Sequence, residues 1–186
     1  DVTRVPATRC WRVDLRTAGG GGDLRRTAAT EEMTGGGRGT AGGNAGCTTA
    51  RANDGSEQGA LAVAGTIAVG TNGATGNATL VNGTDIDLAT SGVGGDLTAT
   101  ATTEDITDSG TVTVGGNASF TTTQANDDID LGTLAVAGTI AVSTNGATGN
   151  ATLVNGTDID LATSGVGGDL PATDRKSTRL NSSHKP

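Results

Sequence analysis

Aromatic side chains are almost absent from this 186-residue chain, in which tyrosine is missing and phenylalanine and tryptophan occur once each. A globular core usually depends on large aromatic side chains, so this chain must fill its interior with Val, Ile, Leu and Ala. These residues suit a narrow interior between stacked strands. No apolar run approaches the roughly 18 residues of a membrane-spanning helix, and we therefore expect no membrane insertion.

Basic side chains are missing from residues 52–173, which carry fourteen Asp or Glu residues. Nucleic acids and anionic lipids are bound mainly through Lys and Arg, so we expect no nucleic-acid partner for this region. The glycine runs do not form a phosphate-binding P-loop either. That loop requires a lysine next to its glycines, and the first lysine of the chain is Lys176.

Cysteine and histidine are too rare to form a reactive or metal-binding site. The chain has Cys10, Cys47 and a single histidine, His184. Two cysteines without a nearby histidine form neither a disulfide framework nor a zinc site. We therefore predict no catalytic residue, no cofactor-binding residue and no metal ligand.

What the sequence does contain is a long internal repeat. Residues 61–97 return as residues 134–170 with one change, Gly70 to Ser143. Residues 98–133, between the two copies, complete a 73-residue unit. Near-exact repetition at this length is typical of solenoids, in which each unit adopts the same structure.

Two shorter patterns recur inside this unit. The first is V-x-G-x-Φ, where Φ is apolar or small, and the second is a set of isoleucines. Successive members of each set lie roughly 20 to 30 residues apart, within the period expected of solenoids. If every interval is one coil, the unit holds three turns of about 24 residues. The glycines are Gly65, Gly95, Gly116, Gly138 and Gly168, and the isoleucines are Ile86, Ile106, Ile129 and Ile159.

Apolar residues alternate with small or polar ones inside the repeat, as in Leu61, Val63, Ile67 and Val69. A period of two places them on one face of a strand, and stacking of turns then forms an isoleucine column at about 4.8 Å spacing. We predict an all-β fold, a parallel β-helix (β-solenoid) over residues 59–173, right-handed by the general crossover rule. The turn dipeptides Asn72-Gly73 and Asn145-Gly146 are expected in protruding loops.

The flanking residues have no convincing period. Residues 1–58, with their glycine runs and Arg-rich composition, are interpreted as a disordered leader or, alternatively, as the product of an incorrect reading frame. Residues 174–184, DRKSTRLNSSH, resemble the translation of a short-read sequencing adapter. Residues 174–186 are therefore interpreted as an artefactual tail.

The phrases TVTVGGNASFTT, DDIDLGTLAVAGTIAV and NGATGNATLVNGTDIDLA resemble repeat regions of filamentous-haemagglutinin-like bacterial exoproteins and autotransporter adhesins. The resemblance covers residues 59–173. It implies a structural shaft that is secreted or displayed at the bacterial outer membrane, and a surface ligand that the sequence does not identify. We also expect self-association through uncapped solenoid ends, where strands lack partners.

A carbohydrate-active enzyme fragment is the alternative function, because polysaccharide lyases and hydrolases also use parallel β-helices. Such enzymes need clustered carboxylates, usually with a cationic or imidazole group. Residues 59–173 offer carboxylate pairs, but no Arg, Lys or His accompanies them. We therefore predict that the chain is not an enzyme. The pairs are Asp85 with Asp87 and Asp158 with Asp160.

Two further hypotheses concern the outer surface. Asp85, Asp128 and Asp158 are predicted to form an outward ladder, which either binds calcium or is solvated and screened by salt; the sequence favours the solvated ladder. The threonines of residues 98–102 and 121–123 would suit an ice-binding array. They do not recur in the same phase in every turn, which argues against that function.

Overall fold

The computed structural model describes residues 24–28, 33–35, 39–52 and 55–175, and these residues are all-β, as predicted. In chain order the strands are β1 (Leu24–Ala28), β2 (Met33–Gly35), β3 (Gly39–Ala41), β4 (Ala45–Ala52), β5 (Ser56–Val63), β6 (Thr66–Asn72), β7 (Ala78–Asn82), β8 (Ile86–Leu88), β9 (Ser91–Val93), β10 (Leu97–Ala101), β11 (Ile106–Asp108), β12 (Val112–Val114), β13 (Ala118–Ala125), β14 (Ile129–Val136), β15 (Thr139–Asn145), β16 (Ala151–Asn155), β17 (Asp160–Leu161) and β18 (Ala172–Asp174).

The strands form two sheets, and the chain passes from one to the other and back in each turn, as from β7 through β8 and β9 to β10. The strand pairings are parallel, for example β10 with β7 and with β13. Buried apolar side chains from both sheets form one core cluster between them. This arrangement is the predicted β-solenoid. Sheet A contains β1, β4, β6, β8, β9, β11, β12, β14, β16 and β18, and sheet B contains β2, β3, β5, β7, β10, β13, β15 and β17.

Three of the four isoleucines form the predicted interior column. Ile106 pairs with Ile86 on one side and with Ile129 on the other, and none of the three is more than 1% exposed. The next residue in this column is Ala151. Ile159 lies instead just before β17, in sheet B, so its place in the column was predicted wrongly.

The turn length explains this error. Paired residues in neighbouring turns are about 21 residues apart, not about 24. The longest glycine intervals are therefore one and a half turns: Gly65 precedes β6 in sheet A, whereas Gly95 precedes β10 in sheet B. One repeat unit spans three and a half turns instead of three.

The half turn places the two near-identical copies on opposite sheets. β6 lies in sheet A and its repeat β15 in sheet B. Conversely, β7 lies in sheet B and its repeat β16 in sheet A. The local structure is nevertheless the same in both copies. The N–H of Val63 donates to Asn82 Oδ1 at 2.9 Å, and the N–H of Val136 donates to Asn155 Oδ1 at 2.9 Å.

The solenoid begins before residue 59, so the structure moves the predicted boundary towards the N-terminus. The strands β1 to β5 are followed one repeat unit later by β10 to β14, which begin at the equivalent positions. The sequences of residues 24–60 and 97–133 agree at about half of their positions. The equivalent first residues are Leu24 and Leu97, Met33 and Ile106, Gly39 and Val112, Ala45 and Ala118, and Ser56 and Ile129.

This part of the supposed leader is therefore a diverged copy of the repeat. Its clearest signal is Gly42-Gly43-Asn44-Ala45, which returns as Gly115-Gly116-Asn117-Ala118. The repeat unit occurs as residues 24–96 and again as residues 97–169. The predictions for residues 1–23 and 176–186 lie outside the described residues.

The two Asn-Gly dipeptides form turns, as predicted. Gly73 and Gly146 have φ values of 82° and 88°, in the left-handed region that glycine adopts readily. Residues 73–77 form the short connection between β6 and β7, and the pairing of β6 with β4 shifts register between Thr48 and Ala52, just before this turn.

Candidate functional site

Asn and Asp side chains at one corner form a ladder along the solenoid. The N–H of Asp96 donates to Asn77 Oδ1 at 2.8 Å, and the N–H of Asn117 donates to Asp96 Oδ1 at 2.7 Å. The N–H of Thr139 continues the ladder by donating to Asn117 Oδ1 at 2.9 Å. Each side chain thus connects its own turn to the next one and satisfies a corner N–H that the strands leave without a partner.

A second ladder runs along another corner. The N–H of Asp128 donates to Asp105 Oδ1 at 2.7 Å, and the N–H of Asn150 donates to Asp128 Oδ1 at 2.7 Å. The N–H of Asp169 then donates to Asn150 Oδ1 at 2.9 Å. Hydrogen bonds from N–H groups to carboxylates are among the stronger ones in proteins, so these aspartates have a structural role.

The predicted stack is formed in part: Asp85 and Asp128 lie in one column with Asp105 between them, because each precedes an isoleucine of the paired strands β8, β11 and β14. Asp158 does not join it, because it precedes β17 in sheet B. The ladder neighbours of Asp128 are Asp105 and Asn150. Within the described residues there is also no group of three His, Cys, Asp or Glu side chains that could hold a metal ion.

The two carboxylate pairs singled out in the sequence lie on different sheets. Asp87, in β8, pairs with Thr66 and Thr107 in sheet A. Asp160, in β17, pairs with Thr139 in sheet B. The core separates the two pairs, so they do not converge on one substrate position as the carboxylates of a glycosidase do.

Asn82 and Asn155 are buried asparagines with several hydrogen bonds each, and their role was not predicted from the sequence. Asn155 is 0% exposed, and its Nδ2 donates to the carbonyl of Val136 at 3.2 Å, to Thr157 Oγ1 at 2.9 Å and to the carbonyl of Asp158 at 2.9 Å. Asn82 makes the same bonds in the first copy. A signal was present, because the asparagine follows an interior leucine at a spacing of two in both copies.

Asp127 and Asp87 are the two described residues that each have a buried carboxylate oxygen without a hydrogen-bond partner. Asp127 is 9% exposed, and its Oδ2 has no hydrogen-bond partner, although Gln124 Nε2 donates to its Oδ1 at 3.3 Å. The carbonyls of Gly76 and Gly149 accept a threonine hydroxyl just as the carbonyl of Asp127 does. Asp127 therefore occupies a corner position that is glycine in both near-identical copies.

The threonines of the ice-binding hypothesis lie partly in register. Thr98 pairs with Ser119, and Thr100 pairs with Thr121, on the outer side of sheet B. Thr122 points to the interior and is 2% exposed. Matched hydroxyl columns therefore extend over only part of the sheet.

A depression of about 320 Å³ lies over the second ladder on sheet A. Its lining is acidic and contains no basic group, and no nucleophile with an adjacent base lies in it. No helix in the described residues is long and apolar enough to cross a membrane. The depression is lined by Asp128, Ile129, Asp130, Asn150, Thr152, Asp169 and Pro171.

Comparison with known proteins adds one match. Residues 75–131 match the family described as Repeats of unknown function (DUF5649). No curated protein and no solved structure matches the chain. The matched residues run from the end of the first unit, residues 24–96, into the second, residues 97–169.

The fold and this match define the chain as a repeat β-solenoid protein. Its corner Asn and Asp side chains join one turn to the next.

Proposed function

We propose that this solenoid is a structural shaft in a large bacterial exoprotein of the adhesin type, secreted or displayed at the cell surface. The observation that supports the proposal most directly is that its corner Asn and Asp side chains accept hydrogen bonds from the next turn. The corner ladders connect successive turns with bonds of 2.7–2.9 Å. Such connections give length and stiffness, which a shaft needs.

The repeat also supports a role based on length. In a solenoid each turn contacts only its neighbours, so units can be added or removed without changing the rest. At about 4.8 Å per turn, one unit of three and a half turns contributes roughly 17 Å. The ligand of the parent protein is then bound outside this region, and the shaft holds that binding region away from the cell.

Catalysis is not part of the proposed role. A glycoside hydrolase or lyase requires an acid and a base on either side of one bond. Here the carboxylates occur in each unit, and the corner aspartates already accept N–H groups. We propose that the chain is not an enzyme, binds no cofactor and has neither nucleic acid nor membrane lipid as its partner.

Two experiments test the proposal. Deleting one repeat unit from the parent protein should shorten its surface projection by roughly 17 Å in electron micrographs and leave ligand binding intact. Complete loss of binding would mean that the repeats carry the ligand site.

The second experiment separates the shaft from the enzyme alternative. The purified chain is incubated with acidic and neutral polysaccharides, and new reducing or unsaturated ends are measured. We expect none. Turnover that is abolished by Asp87→Asn or Asp160→Asn would overturn the shaft proposal in favour of a carbohydrate-active enzyme.

A further inference from the structure

Four Asn-Gly dipeptides occur in the chain, and the fold divides them into two pairs. Asn72 and Asn145 are the last residues of β6 and β15, and both are exposed. Asn82 and Asn155 are the last residues of β7 and β16, and both are 0% exposed. Because the dipeptide is the same in all four places, a difference in reactivity between the pairs comes from the structure.

An asparagine that precedes glycine can react with its own backbone. The amide nitrogen of the glycine attacks Cγ of the asparagine, and the new N–Cγ bond closes a succinimide ring. The Cγ–Nδ2 bond breaks, and ammonia leaves with the proton of the glycine N–H. Water then opens the ring at either carbonyl and produces aspartate or isoaspartate. Glycine favours the attack because it has no side chain to shield its nitrogen.

The exposed pair meets the requirements of this reaction. Gly73 and Gly146 have φ values of 82° and 88°, so the turn itself requires glycine after the asparagine. The leaving group of Asn145, its Nδ2, has one hydrogen bond, to the carbonyl of Thr123 at 2.8 Å. Once this bond opens, the side chain can rotate towards the glycine nitrogen, and water reaches both carbonyls of the ring.

The buried pair is held away from the reaction. Asn155 Nδ2 donates to the carbonyls of Val136 and Asp158 and to Thr157 Oγ1, and Asn155 Oδ1 accepts the N–H of Val136. The side chain cannot turn towards the following glycine unless these bonds break inside the solenoid. Each hydrogen bond changes an equilibrium by a factor of about 2 to 10. The three bonds that Asn155 has in excess of Asn145 therefore slow its reaction by about 100-fold.

We propose that Asn72 and Asn145 are sites of spontaneous deamidation through a succinimide, and that the fold protects Asn82 and Asn155 from the same reaction. The reaction consumes only water. It is a property of the solenoid itself and does not depend on display at a cell surface.

The products change the charge and the corners of the solenoid. Residues 52–173 have no basic side chain, so each event adds a negative charge to a body whose charges already repel one another. It also removes the Asn145 donor to the Thr123 carbonyl. Isoaspartate lengthens the main chain by one methylene group where the Asn145 carbonyl accepts the N–H of Asn126 at 2.6 Å. Because β6 and β15 lie in different sheets, the change weakens one corner on each side as the protein ages.

Peptide mass spectrometry of the full chain tests the proposal. The folded chain is incubated at mildly alkaline pH and digested with pepsin in acid, where little further deamidation occurs. Fragmentation then locates each amide that has become an acid. The exposed sites are distinguished by the residue two positions earlier, which is Gly70 before Asn72 and Ser143 before Asn145. We expect aspartate and isoaspartate to accumulate at these sites about 100-fold faster than at the buried pair.

Two controls separate the effect of the fold from that of the sequence. In concentrated urea all four dipeptides should react at similar rates, because the protection is lost. Thr157→Val removes one acceptor of Asn155 Nδ2 and marks its peptide, so Asn155 should react about 2 to 10 times faster than Asn82. Circular dichroism confirms that the variant folds. Equal rates at all four sites in the folded chain, no reaction at the exposed pair, unequal rates of the two pairs in urea, or an unchanged rate at Asn155 in the variant would each overturn the proposal.

Discussion

At the scale of single residues, the solenoid depends on polar side chains that are buried at its corners. Asn155 satisfies both the N–H and the carbonyl of Val136 from the neighbouring turn. We predict that Asn155→Ala lowers the free energy of unfolding by about 1–3 kcal/mol, because the Val136 N–H stays buried without a partner, whereas the Val136 carbonyl still accepts from Thr157 Oγ1. Asn145→Ala removes one exposed bond, to the carbonyl of Thr123, and should cost about 1 kcal/mol or less. Urea denaturation measures both, and equal losses would contradict the role of Asn155.

Asp127 leads to a prediction of the opposite sign. Its Oδ2 is buried without a partner, at a position where the two near-identical copies have glycine. Burying such a group costs several kcal/mol, whereas the entropy cost of glycine is about 1 kcal/mol. We therefore expect Asp127→Gly to raise the free energy of unfolding.

The control for this variant is its neighbour in the chain. Asp128→Gly removes the acceptor of the Asn150 N–H and should lower the free energy of unfolding in the same denaturation experiment. A loss of stability in both variants would contradict the expected gain from removing the buried Asp127 carboxylate.

At the scale of structural elements, the corners require glycine at specific positions because successive turns approach closely there. A Cβ at Gly95 would lie 2.2 Å from Asn77 Oδ1, the acceptor of the corner ladder, whereas a Cβ at Gly92 in β9 would meet nothing within 4 Å. We predict that Gly95→Ala destabilises the fold by about 2–3 kcal/mol. Gly92→Ala should be neutral or stabilising by about 0.5 kcal/mol. Thermal melts of the two variants compare them directly, and similar melting temperatures would contradict the close approach at the corner.

At the scale of the whole molecule, the repeat and the coil have different periods. A unit of three and a half turns presents each surface feature alternately on sheet A and sheet B. Any ligand group on one unit would therefore appear on the opposite side of the shaft in the next unit. A protein built from such units therefore presents the same surface side chains on both sheets, in alternate units.

Pyrene labelling distinguishes this geometry from a coil of three turns per unit. With Cys10→Ser and Cys47→Ala in place, cysteines at Thr139 and Asp160 should give excimer fluorescence, because these residues pair in neighbouring strands. Cysteines at Asp130 and Asp160 should not, because the two residues lie on opposite sheets. A coil of three turns would reverse the two results, since it stacks Ile159 directly on Ile129.

Much of the local structure was predictable from the sequence. Alternation identified the strands and their inner faces, so that Ile86, Ile106 and Ile129 form one column. The Asn-Gly turns were equally clear, because glycine adopts positive φ without a steric cost. The first unit was harder to recognise. Its residues 24–60 keep the corner glycines and asparagines but replace many interior side chains, so the repeat is visible mainly once the strands are aligned.

Three features can be read from the amino-acid sequence alone: the short strands, the residues that face inwards, and the almost unchanged return of one long unit. The number of turns in that unit and the side chains that meet across turns became known only from the strand pairing. The physical reason lies in the equivalence of the two sheets. Both bury alternate apolar residues, and both are entered through corners made of glycine followed by Asn, Asp or Thr. A glycine such as Gly65 or Gly95 therefore shows that a corner is present but not which sheet follows it. An interval of one and a half turns then cannot be distinguished from one long turn until the strand pairing is known.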